Sequence, residues 1–376
     1  MKFYTVENNK KSIFKTFAIY YTCMALFCLM RILVSLGCAP DGLLGEIYVS
    51  VLIQVGILFI LPLIFYSIFL KVKPKEIFKT CNFGKINFNV VLISIVLGIL
   101  CFFINVAVSS LFSGIINFTG YRSSGSGGTA NYETWHFFVE VFIVAVLPAF
   151  CEEFLHRGIV LQGIKHIGFK KAIVISSLLF GLLHFNIQQV SYAFVVGLIL
   201  GFVAVVSKNI FPSIIIHFVN NFISVYLDYA ANRNWFLGDF LNNLQSSLYA
   251  GSMFAVFIIS AIVMIVIVAL LCLFIWLLYK QTLIRKVNKV LDKVYNSPEL
   301  DPELKIVIDQ ENQIRDFLET NTLLNLDFEK KDNPIDIVMP KEKSRYKTKL
   351  TDYIFLWGAV FLGGLVTLFT YIWGLF

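Results

Sequence analysis

Charge is what this chain has least of. Asp, Glu, Lys and Arg make up 15% of 376 residues while hydrophobic residues make up 58%, and the mean hydropathy is +0.77. A water-soluble protein of this length needs more polar surface, so the soluble classes are excluded. Strict polar/apolar alternation is also missing from the apolar stretches, which argues against a membrane β-barrel. The seven cysteines form no CxxC pair and sit mostly in apolar segments, as Cys23, Cys28, Cys101, Cys151 and Cys272 do. A disulfide framework or cysteine-zinc cluster is therefore a poor reading, and small buried apolar residues a better one. There is no HExxH zinc motif and no internal repeat of the kind transporters often carry.

What is present is a series of apolar runs of about 20 residues, long enough to span a bilayer as helices. The expected fold class is all-α, a polytopic transmembrane helical bundle of about eight to nine spans. Nine can be drawn, near 13–36, 47–70, 88–112, 135–165, 171–187, 189–207, 210–230, 251–279 and 352–375. The first run is too long for a cleaved signal and is expected to stay as an anchor.

The formal net charge of +7 resembles a nucleic-acid signal only until its location is read. Lys10, Lys11 and Lys15, then Lys71 to Lys85, then Lys165, Lys170 and Lys171, then Lys280, Arg285 and Lys286 all flank helix ends. That is the positive-inside pattern; the expected partner is the lipid bilayer and no nucleic acid. It puts the N-terminus in the cytoplasm and, after nine spans, the C-terminus outside. Residues 1–87 are expected to hold N-terminal transmembrane helices, 88–279 the core of the bundle, and 351–376 a C-terminal transmembrane helix. Between them 280–350 reads as a cytoplasmic insert before the last span, acidic at Asp309, Glu311, Asp316 and Glu319 and punctuated by Pro298, Pro302, Pro334 and Pro340. A helix is expected near 281–296, with less regular structure after it.

Charges inside the membrane carry the functional information, because each costs about 2.5–3.5 kcal/mol at a helix centre. Apart from Arg31, those remaining lie on one helix: Glu140, Glu152, Glu153 and Arg157. Glu153 and Arg157 are four apart and can pair on one face. Glu152 is turned about 100° away. An unpaired carboxylate there suits a general base, and His156, one turn on, could tune it. His184 lies in a segment otherwise free of charge, where a lone histidine is more often a satisfied packing residue. His217 and Asn221, one turn apart, project from one face, an arrangement that interhelical hydrogen bonding could also explain.

Depth joins these positions. Glu152 stands 13 positions before Lys165, His184 13 after Lys171 and His217 9 after Lys208. At the helical rise those separations are about 20, 20 and 14 Å. Three helices thus bring a carboxylate, two imidazoles and an amide to nearly one level.

The ordered trio EExxxRG (Glu152, Glu153, Arg157, Gly158), FxxxH (Phe180, His184) and HxxxN (His217, Asn221) resembles the CAAX-protease and bacteriocin-processing family, also called the abortive-infection family. The resemblance covers about residues 88–230 and not the insert or last span. It implies an intramembrane endopeptidase acting on a membrane-associated peptide or protein. In one scheme Glu152 and His184 activate water, His217 and Asn221 stabilise the oxyanion, and Glu153 with Arg157 holds the helix. In the other, a metalloprotease, Glu152, His184 and His217 hold a catalytic zinc; no cofactor is otherwise implied. A catalytically silent scaffold, regulator or transporter is the non-enzyme alternative. Lys, Asn, Ile and Phe richness suggests a bacterium of low genomic GC and thus its plasma membrane.

Overall fold

The computed structural model describes residues 6–122, 133–233, 235–238, 253–295 and 349–375. Among them every regular element is helical. We label the helices α1 (Val6–Ser35), α2 (residues 42–70), α3 (Pro74–Thr80), α4 (Phe88–Asn117), α5 (residues 134–164), α6 (Phe169–Leu183), α7 (Ile187–Ser207), α8 (Phe211–Arg233), α9 (Met253–Tyr295) and α10 (Ile354–Trp373). Among the described residues seven helices are long and apolar enough to cross a membrane, and the protein is an integral membrane protein.

The two expected spans outside those seven differ for physical reasons. Helix α5 carries the intramembrane charges and changes its hydrogen-bond register twice. Helix α6 has 15 residues, a rise of about 22 Å against a hydrocarbon core of about 30 Å. His184 caps its C-terminal end, and α6 by itself is too short to cross that layer. Helix α9 has 43 residues, about 64 Å, twice that core. The helix expected near 281–296 is its unbroken continuation; the rest of the expected insert lies outside the described residues.

Basic residues gather at one end of the bundle. Lys15 donates to the Phe69 carbonyl, Asn209 Nδ2 to the Gly84 carbonyl at 2.8 Å, and Arg285 Nη1 to the Lys85 carbonyl at 2.8 Å. The opposite end is tied by Tyr371 OH donating to Thr119 Oγ1 at 2.8 Å and the Arg122 amide to the Gly374 carbonyl at 2.7 Å.

Two apolar cores flank a seam. In one, helices α1, α2, the second half of α5, α6 and α10 bury Tyr20, Leu58, Phe154, Leu179 and Ala359. In the other, α4, α7, α8 and α9 bury Leu97, Leu200, Ile216 and Leu278. Lipid tails are as apolar as these side chains, so close packing rather than water exclusion holds such helices together. Gly98 shows how close: a Cβ there would lie 2.6 Å from Val219 Cβ and 3.2 Å from the Ile216 carbonyl oxygen. Only glycine lets α4 and α8 approach this far.

Candidate active site

The site lies on the seam, where α5 meets α2, α6, α7 and α8. Helix α5 widens immediately after its paired glutamates. Residues Phe154–Val160 are π-helical, and the Leu161 amide donates to the His156 carbonyl, five residues back. That carbonyl also accepts Ser176 Oγ from α6 at 2.9 Å. A second π-helical stretch, Val141–Val146, precedes the glutamates, and a third, Leu52–Ile60, lies on α2. Such bulges bend the ladder and re-aim side chains, and they occur often at functional sites.

Glu153 is fully buried and Arg157 is 1% exposed. Arg157 Nη1 donates to Glu153 Oε1 at 2.8 Å, the pairing their four-residue spacing predicts. Its other amino group donates across the seam to the Gly197 carbonyl on α7 at 2.9 Å. Such further bonds offset part of the cost of burying the pair, while Glu153 Oε2 and Arg157 Nε have no partner among the described residues. His217 Nδ1 lies 3.1 Å from the same Glu153 oxygen. A carboxylate only accepts, so Nδ1 carries a proton, and in the tautomer this selects Nε2 presents a lone pair.

Glu152 is 8% exposed. Its Oε2 lies 4.0 Å from His217 Nε2, so His217 stands between the two glutamates. Its Oε1 accepts from Gln54 Nε2 at 2.9 Å. The expectation of a carboxylate without a partner thus gives way to one held by an amide from α2. His156 does not reach the Glu152 carboxylate: its Nδ1 donates to the Glu152 backbone carbonyl at 2.8 Å, and its Nε2 lies 3.3 Å from Tyr20 OH. It fastens the backbone beneath the carboxylate instead.

Phe180 organises the imidazoles. Its ring makes edge contacts with those of His156, His184 and His217 at 5.1, 5.2 and 5.7 Å, and the Arg157 guanidinium lies 4.6 Å from its centroid. His184 Nδ1 donates to the Phe180 carbonyl at 2.9 Å, again leaving Nε2 as an acceptor. Past His184 the chain turns through Phe185, a bulky residue in the left-handed region at φ 51°. A ring rarely adopts that conformation, and its edge contact with Phe27 of α1 at 5.6 Å helps hold it there.

Asn221 lies beyond His217 on α8. Its Nδ2 donates to the Val144 carbonyl of the π-helical stretch at 3.0 Å. Its Oδ1 accepts from Asn220 at 2.9 Å, and Asn220 Oδ1 accepts from Asn105 of α4 at 3.3 Å. This chain fixes the amide's orientation, and one of its two N–H groups remains. Of the expected residues, Glu152, Glu153, Arg157 and His217 lie in one contact network, and His184 joins them through Phe180. Asn221 sits one turn along α8.

For zinc the donor chemistry is apt. Each of His184 and His217 donates from Nδ1 to an oxygen and offers Nε2, the arrangement metal-binding histidines use. Yet among the described residues no three His, Cys, Asp or Glu side chains are gathered closely enough to hold a metal ion.

Sequence reasoning missed Gln54, Tyr20, Asn105 and Asn220. Gln54 was findable, as an amide inside a span of mean hydropathy 2.5. A search restricted to charges passes over it.

Among curated proteins and among solved structures, nothing matches the chain. Residues 134–223, from the start of α5 past Asn221, match the family model described as type II CAAX prenyl endopeptidase, Rce1-like. Glu152, Glu153, Arg157, Phe180, His184, His217 and Asn221 all fall inside that segment, and it is this segment of the chain that is similar to the CAAX-protease family.

Proposed function

We propose that this chain hydrolyses a peptide bond of a membrane-associated peptide or protein within the bilayer, with Glu152 as the general base. The observation that carries the reading is the pair of acceptors, Glu152 Oε2 and His217 Nε2, 4.0 Å apart in a buried site. That separation is too long for a direct bond and suits one water reaching both. Donating to both, the water turns a lone pair toward the scissile carbonyl. Glu152 takes the proton as the C–O bond forms and returns it to the departing amine when the C–N bond breaks.

Asn221 has one N–H left for the oxyanion, beside the water that His217 Nε2 holds. A donor of this kind is worth about 10²–10³ in rate. His184, fixed by its Nδ1 bond to the Phe180 carbonyl, keeps Nε2 as a further acceptor for the water. Glu153 and Arg157 hold α5 and His217 in place.

The hydrogen-bond partners of the histidines favour a second reading, in which Glu152, His184 and His217 hold a zinc ion. When bound, zinc would polarise water and carbonyl as a Lewis acid. Substrate class rests on the family likeness of residues 134–223 alone: a prenylated C-terminal CAAX segment is one candidate. A peptide pheromone or bacteriocin precursor fits better with the bacterial plasma membrane that the composition suggests.

Comparative peptidomics of membranes from cells carrying wild-type or Glu152→Ala protein tests the function. Cleavage products present only with wild type are expected. Identical peptidomes, with both proteins present in equal amount, would favour the silent scaffold.

A further inference from the structure

The bond from Gln54 to Glu152 reaches outside the family segment. Gln54 belongs to α2, some 80 positions before the segment starts at residue 134, and lies in the π-helical stretch Leu52–Ile60. An amide in an apolar span is costly unless its hydrogen bonds are made. Gln54 makes one, 2.9 Å long, to Glu152 Oε1. Its own Oε1 is buried and accepts nothing among the described residues.

A side chain kept only for packing would not leave a buried acceptor unmatched, since Met or Leu fills similar space without polar atoms. The bond also has a direction. A carboxylate accepts and cannot donate, so it is the NH₂ side of the amide that faces Glu152 Oε1. With Oε1 held by Gln54, the rotation of the carboxylate is set, and Oε2 is the oxygen left toward His217.

We propose that Gln54 is a positioning residue for Glu152: its amide fixes the carboxylate rotation that presents Oε2 to the water. This rests on the reading of Glu152 as the base. It also makes the working site a product of α2 together with the matched segment.

The test compares wild type, Glu152→Gln, Gln54→Met and the double variant, purified and reconstituted in lipid vesicles. The first readout needs no substrate. The infrared carboxylate band of Glu152, taken as the difference between proteins with Glu and Gln at 152, is expected to move when position 54 is Met. The thermal midpoint is expected to stay or rise. The second readout is turnover of an internally quenched farnesylated peptide ending in a CAAX sequence. Gln54→Met is expected to lower kcat at least about tenfold with KM within about threefold, the order of one hydrogen bond to a charged group.

An unmoved band overturns the proposal, as does an unchanged kcat. If wild type does not cut this peptide, the band decides alone. Inactive Glu152→Gln beside fully active Gln54→Met would refute the role of Gln54 and leave Glu152 as the base. Active Glu152→Gln would instead refute the reading beneath it.

Discussion

Adjacent glutamates on one turn of α5 face different surroundings, and the difference is chemical. Glu153 shares one oxygen between Arg157 and His217, while Glu152 meets an amide and the open edge of an imidazole. Replacing Glu153 by Gln leaves a buried guanidinium facing a neutral amide and weakens the hold on His217. The expected loss is about 3–5 kcal/mol, read as a lower thermal midpoint or poor accumulation in the membrane. A well-folded Glu153→Gln protein with an unchanged midpoint would mean that the pair adds nothing to stability. The Glu153–Arg157 pair was legible in the sequence because i,i+4 spacing fixes it. The contact of His217 with Glu153, and the turn of His156 toward Tyr20, depend on how helices rotate against one another, which local spacing does not record.

At the scale of elements, hydropathy located the helices well, because bilayer thickness sets their length. It could not show the three π-helical stretches, since a one-residue change of register leaves composition untouched. Nor did it show that α6 stops at Leu183, because Phe185 and Ile187 carry the expected span on to residue 187. Helix approach distances are likewise invisible until glycines are placed. Gly98→Ala should force α4 away from Val219, whose Cβ would lie 2.6 Å from the new methyl, and destabilise by about 1–3 kcal/mol. Combining it with Val219→Ala should recover part of that loss in a thermal melt. No recovery in the double variant would mean that the Ile216 backbone, not Val219, sets the limit.

For the whole molecule, basic residues at one end and few at the other give a sidedness. Single cysteines at Lys75 and Arg122, both exposed and placed in a chain lacking the exposed Cys38 and Cys272, should label from opposite faces of sealed vesicles, Lys75 from the cytoplasmic one. Labelling of both from one face would contradict the orientation. The expected insert after α9 is a second case. Family-matching residues end at 223 and no site residue lies beyond Asn221, so deleting residues 298–340 should leave proteolysis within about threefold of wild type. A folded but inactive deletion protein would assign the insert to substrate capture.

The central claim is that Glu152 is the catalytic base, and one measurement meets it directly. Wild-type and Glu152→Gln proteins would be reconstituted in vesicles with a peptide that the peptidome comparison shows to be cut. Metal content of each sample would be determined alongside the rate. Gln keeps the size and much of the hydrogen bonding of Glu but cannot take a proton. The account predicts a folded protein with the wild-type thermal midpoint and a rate lower by about 10²–10⁴, without stoichiometric zinc in wild type. One zinc per wild-type chain, lost in His184→Ala and in His217→Ala, would replace the metal-free scheme while keeping the site. A Glu152→Gln protein that cuts the peptide at the wild-type rate would contradict the account itself.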